Sequence, residues 1–153
     1  LTEATKAAKT GDITTILQYI EANPSQLNQF VVIEEPKMMT FLGYASMYGH
    51  KDVVAVLLKK KGINVNKGEL KLELEDGEDD WESPPDDITP LQIACFGGHV
   101  EIVEELLKHP CVKADKDTFV KSMRRAKNQS LAVRASIGAL LCRRGNFHPS
   151  DLL

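Results

Sequence analysis

Residues 40–58 read TFLGYASMYGHKDVVAVLL and residues 89–107 read TPLQIACFGGHVEIVEELL. At a constant offset of 49, eight of these nineteen positions are identical: Thr40/Thr89, Leu42/Leu91, Ala45/Ala94, Gly49/Gly98, His50/His99, Val54/Val103, Leu57/Leu106 and Leu58/Leu107. A segment recurring in register constrains a fold more tightly than composition does. Each copy must form the same unit and bury its apolar face against the next copy. A weaker third copy lies upstream, where Ala7, Gly11, Ile16 and Ile20 align with Ala45, Gly49, Val54 and Leu58 at an offset of 38. Each unit predicts a short helix, a glycine turn and a second helix. Leu42, Ala45 and Ser46 share one face of the first helix. Val53, Val54, Leu57 and Leu58 form an amphipathic stripe on the second. Ala45 and Ala94 leave room for close helix approach, and Pro90 suits a first helical turn, where no backbone donor is needed.

These residues resemble the ankyrin repeat, whose pattern is close to T-P-L-H-x-A-x-x-x-G-H-x-E-[IV]-V-x-x-L-L. Thr89–Leu107 follows it almost fully, with Gln92 for the family histidine. Thr40–Leu58 follows it with Phe41 for proline and Gly43 for histidine. The resemblance covers residues 2–67 and 86–115. It implies an all-α ankyrin-repeat solenoid of about three to four helix-turn-helix repeats with β-like finger loops. The expected organisation is one domain over residues 2–153: a first repeat at 2–39, a second at 40–67, an acidic insert at 68–87, a third repeat at 88–116 and a degenerate C-terminal cap at 117–153.

The family period is about 33 residues, whereas the spacings here are 38 and 49. The distance from turn glycine to closing polar residue is constant: Gly11 to Asn28, Gly49 to Asn66, Gly98 to Asp115. Most of the excess therefore falls in the finger loops, about four residues before Thr40 and about fifteen before Thr89. The second excess forms the acidic insert. Residues 68–87 hold ten acids and one base, Lys71, a net −9 that leaves +6 on the rest of a chain with a total of −3. Residues 69–75 alternate, so period two predicts a strand with Leu70, Leu72 and Leu74 on one face. Trp81 sits among the acids, either as a partner anchor or folded back onto its own helices.

Downstream, DTFVKSMRRAKN (117–128) predicts a helix capped by Asp117 or Thr118, and 130–145 predicts another. The Gly-His turn is absent there. Arg124, Arg125, Lys127, Arg134, Arg143 and Arg144 are expected to form a solvated polar face, as atypical terminal repeats often do. A contact of this face with nucleic acid finds no aromatic interleaving to support it.

Little in the chain suggests chemistry. The repeat turn accounts for His50 and His99, each ring being expected to hydrogen-bond backbone. His109, before Pro110, stands at a helix end where an imidazolium would suit the dipole. No Ser-His-Asp set, phosphate loop or HExxH motif occurs. Asp76–Asp80 lacks the alternation of a calcium loop. Cys95, Cys111 and Cys142 show no CxxC spacing and are expected as reduced, mostly buried thiols of a cytosolic protein. No apolar run approaches the roughly 18–20 residues of a membrane helix. No catalytic residue, metal or cofactor is expected.

The resemblance implies a non-enzymatic protein–protein interaction module that binds through its concave helix face and fingers. Two positions at the end of each first helix carry variable surface residues in the family. Here they hold Met47 and Tyr48, then Phe96 and Gly97, a candidate apolar patch unless the insert covers it. With Trp81, Asp79 and Asp80 at its rim, it would suit another protein with an apolar anchor flanked by bases. Neither a membrane nor nucleic acid is an expected partner. The location implied is cytoplasm or nucleus, or host cytosol for a bacterial protein acting there. The chain starts at Leu1 without an initiator Met, so it can be a fragment. The alternative role is then a targeting or regulatory domain of a larger enzyme.

Overall fold

The computed structural model describes residues 2–32, 38–69 and 88–145. Among them eight α-helices follow in sequence: α1 Thr2–Thr10, α2 Ile13–Ala22, α3 Phe41–Tyr48, α4 Lys51–Leu58, α5 Pro90–Gly97, α6 Val100–Lys108, α7 Lys116–Arg125 and α8 Leu131–Gly145. They form four antiparallel pairs stacked in chain order. The first helices α1, α3, α5 and α7 pack side by side in one layer. In the second layer, α6 packs between α4 and α8.

The recurring residues explain why each pair forms. Thr40 and Thr89 stand in extended backbone and accept the amide N–H groups of Gly43 and Gln92, satisfying donors that a helix start leaves open. Gly49 and Gly98 close those helices in left-handed backbone, φ +77° and +72°, a conformation costly for any residue with a Cβ. Ala45, Ala94, Leu42, Leu91, Val54, Val103 and Leu106 are wholly buried, so the repeated apolar positions are the stacking core. Burying a Leu or Val side chain contributes ~1.5–3 kcal/mol.

Two finger roots are visible. Strands β1 Val31–Val32 and β2 Met38–Met39 pair antiparallel, Val31 opposite Met39. The buried Tyr44 hydroxyl donates to the Val31 carbonyl at 2.8 Å and ties this finger to α3. At the second root, Glu69 bridges both Met39 and Ile88. The Thr40 N–H donates to the Gly68 carbonyl at 2.8 Å, and the Thr40 hydroxyl donates to the Lys67 carbonyl at 2.8 Å. Gly43, where the repeat pattern has histidine, permits this close approach, because a Cβ there would collide with the Gly68 carbonyl. The predicted strand face of Leu70, Leu72 and Leu74 lies outside the described residues.

The C-terminal pair corrects one expectation. Helix α7 starts at Lys116, and its cap is Asp115, whose carboxylate accepts the Thr118 N–H at 2.8 Å. Neither Asp117 nor Thr118 caps it. The closing polar residue of repeat three is thus also the opening cap of repeat four, with no finger between them.

Candidate interaction surface

The polar residues of the repeats form two periodic ladders. Along the turns, His50 Nε2 lies 2.8 Å from the Lys9 carbonyl and His99 Nε2 lies 3.0 Å from the Met47 carbonyl. Each imidazole reaches back to the end of the preceding first helix. The backbone role expected of these histidines is observed, and its partner belongs to the neighbouring repeat. Gln129 supplies the next rung: its side-chain amide donates to the Phe96 carbonyl at 2.8 Å. Along the other ladder, Asn28 donates to the Gly62 carbonyl and accepts the Asn64 N–H, at 2.8 and 2.7 Å. Asn66 does the same one repeat later, with the Cys111 carbonyl and the Lys113 N–H, both at 2.9 Å.

The candidate patch sits on the first-helix layer. Met47 and Phe96 occupy equivalent positions of the packed neighbours α3 and α5, each carbonyl receiving a ladder bond. Phe96 is 53% exposed, while Pro90–Cys95 of the same helix are all buried. Met47 is half-buried against the core. The ring of Tyr48 lies parallel to that of buried Tyr44, centroids 6.3 Å apart, and tilts against His50 at 6.3 Å. It therefore leans on groups whose hydrogen bonds reach the first repeat. At Gly97, the counterpart of Tyr48, a Cβ would stand 2.7 Å from the His99 ring, so that position has no space for a second aromatic. Trp81, Asp79 and Asp80 lie outside the described residues.

Electrostatics divides the molecule. Burial pushes the Cys95 thiol up to about 12, despite the nearby Ser122 hydroxyl, which leaves it an inert protonated core group. Cys142 is also buried, whereas Cys111 is exposed; none of the three forms a disulfide. Hydrogen bonds from Thr118, backbone and side chain, hold the Asp115 carboxyl below its ordinary value. His109 Nδ1 accepts the Cys111 N–H at 3.2 Å. Arg144 brings a cation to the end of α6, donating to the carbonyls of Leu107 at 3.0 Å, Pro110 at 3.2 Å and His109 at 3.5 Å. One expected surface arginine is thereby a helix cap. Among the described residues, no three His, Cys, Asp or Glu side chains are grouped to hold a metal ion, and no helix is long and apolar enough to cross a membrane.

Gln129 and the exposed Val120 and Leu131 were not singled out by the sequence pattern, and Arg144 was expected only as one base of a solvated face. Gln129 lacks the preceding glycine that flags the turn histidines, and the others fall where the repeat consensus has faded.

Stacked helix pairs, left-handed glycine turns and two backbone-directed ladders define a helix-turn-helix solenoid. Residues 4–108 match the family described as ankyrin repeats, in three copies, and the chain belongs to this family. Such repeats are generally protein–protein interaction modules, and the family is typically non-enzymatic. The fourth helix pair lies beyond the matched residues. No curated protein matches the chain.

Proposed function

We propose that this chain is a non-enzymatic recognition module that binds another protein on its first-helix face, with Phe96 as the anchor. The observation that carries this reading is the isolation of Phe96. It is a large aromatic more than half exposed at the end of a helix whose residues Pro90–Cys95 are all buried. Exposing such a ring forgoes the stabilisation of burial, and aromatic residues recur at binding hot spots. Met47 extends the patch one repeat towards the N-terminus, and Tyr48 borders it. Trp81, Asp79 and Asp80 of the insert would, as read from the sequence, supply the rim of the same site. The complementary partner presents an apolar side chain flanked by Lys or Arg. Three cysteines that form no disulfide fit a reducing compartment such as cytoplasm or nucleus.

The test is affinity for a partner captured from a lysate of the source cell. Phe96→Ala should weaken binding by more than ~1 kcal/mol with unchanged circular dichroism, and Tyr48→Ala by less, because its ring is partly committed to Tyr44. Charge reversal at Asp79 and Asp80 should chiefly slow association at low salt. A partner that binds the Phe96→Ala, Tyr48→Ala double variant as tightly as the parent would place the site elsewhere.

A further inference from the structure

We propose that the fourth repeat is a movable cover over Cys95, and that this thiol is a modification site open to small disulfides only while α7 and α8 are lifted off α5 and α6. The three junctions between repeats are tied unequally. The first has a turn rung from His50 to the Lys9 carbonyl, a second rung from Asn28 to Gly62 and Asn64, and a finger held down by the Tyr44 hydroxyl. The second has the same set, through His99, Asn66 and the strand ends bridged at Glu69. At the third, Gln129 keeps the turn rung and Arg144 clasps the end of α6. The place of the asparagine is taken by Asp115, whose carboxylate serves the Thr118 N–H of its own helix. Among the described residues no finger strand lies at this junction.

The seam also contains a flaw. Ser122 of α7 is wholly buried beside Cys95 of α5, yet its hydroxyl closes no hydrogen bond there or elsewhere. Ser46, equally buried in α3, donates to the Leu42 carbonyl at 2.8 Å. An unmade buried hydrogen bond weakens the contact that buries it. In a stack whose stability sums nearest-neighbour contacts, the unit with the fewest ties opens at the lowest cost. Packing of Ala126, Ile137 and Leu141 keeps the closed form the resting one. Closed, Cys95 is wholly buried and its thiol is pushed up to about 12, so it does not react. Opened, it meets water and releases its proton more readily. The thiolate then attacks one sulfur of oxidised glutathione. A new S–S bond forms to Cys95, the old S–S bond breaks, and the second glutathione leaves as a thiolate that takes up a proton. Cys95 is oxidised and the departing glutathione is reduced. The adduct has no room where Ser122 packs, so the modified repeat stays open. Exposed Cys111 needs no such opening.

The test uses the full chain and needs no binding partner. Labelling by N-ethylmaleimide is followed at each cysteine by peptide mass spectrometry. Cys111 should react at once. Cys95 should react slowly, with a denaturant dependence well below that of global unfolding, because only α7 and α8 are released. Gln129→Ala should speed Cys95 labelling roughly two- to tenfold, the range expected for one hydrogen bond, with Arg144→Ala as a second variant at the same junction. Ser122→Ala, which removes the unsatisfied hydroxyl, should slow it. His50→Ala, at the far junction, should leave it unchanged. Exchange of Cys111→Ser protein with oxidised glutathione should then give a Cys95 adduct in which α7 and α8 lose amide hydrogen-exchange protection while α2 to α4 keep theirs. The proposal is overturned if Cys95 labelling follows the denaturant dependence of global unfolding, or if His50→Ala speeds it as much as Gln129→Ala and Arg144→Ala do. It also fails if Ser122→Ala speeds labelling, or if the adduct leaves α7 and α8 protected.

Discussion

The turns of the third and fourth repeats meet the same requirement with different residues. In both, the carbonyl ending the preceding first helix needs a donor. His99 supplies it to Met47 and Gln129 supplies it to Phe96. The imidazole packs against Gly49, where a Cβ would come within 2.9 Å of its ring, and the Gln129 side chain packs against Gly98 in the same way. The stacking geometry selects a planar donor of a given reach. The Gly-His signature is one way to provide it, and a repeat that lacks the signature keeps the bond.

The sharpest contrast between the regular and the terminal repeat is burial. Leu106→Ala should cost ~2–5 kcal/mol in denaturant unfolding, whereas Leu131→Ala, at an exposed site, should stay within about 0.5 kcal/mol. Comparable losses would mean that α8 is covered as α6 is. Next comes the glycine beneath the ladder. Gly62→Ala carries only the penalty of positive φ (+87°), ~1–2 kcal/mol, since a Cβ there meets nothing within 4 Å. Gly49→Ala should cost more, because it must also displace His99. Equal losses would show that the ring adjusts freely. His99→Ala, which strips a donor from the Met47 carbonyl, should cost about 1–2 kcal/mol. Gln129→Ala should cost less, and His99→Gln should recover part of the loss if the donor's chemistry is interchangeable.

The smaller effects concern the fourth repeat's cap and the insert. Asp115→Ala should cost ~0.5–2 kcal/mol near neutrality. The Asp115 carboxyl is held below its ordinary value, so this stabilisation is fully present above the unfolded-state value of about 3.9 and is lost as pH falls through the lower folded value. The gap between parent and variant should therefore close below about pH 4, and a gap unchanged at pH 2 would assign the effect to something other than the charged cap. Replacing residues 71–86 with a short polar turn should shift stability least, by under ~1 kcal/mol, because loop length enters only logarithmically. A chain that no longer folds would show the insert to be structural.

How much could be read in advance follows from how locally each feature is encoded. Thr40, Ala45, Gly49, His50 and their partners 49 residues on mark caps, close contacts and a left-handed turn within one short segment, so the solenoid was legible. The constant Gly-to-Asn spacing flagged Asn28 and Asn66, though not their bonds, since those partners lie in the next repeat. Gln129 and Arg144 act on carbonyls 33 and 37 residues earlier. Nothing in their own neighbourhood states that distance, so one turn went unrecognised and one cap passed for a solvated charge. Of the candidate patch, the register gave Met47 and Phe96. It did not give the orientation of Tyr48, which is set by stacking on Tyr44.

The clasp at the second finger root separates two kinds of selection. Thr40, Gly68, Glu69 and Ile88 lock the strand ends to the repeats through backbone bonds, and Gly43 opens the space in which they meet. Whatever sequence runs between Glu69 and Ile88 starts and finishes at neighbouring strand positions, about 5 Å apart. The backbone bonds at the root hold that gap at a fixed width against the helices. If the insert replacement above leaves the fold intact, length, charge and aromatic content there are exchangeable and the root is a natural splice point. A foreign recognition loop cut to the same gap would inherit a rigid mount.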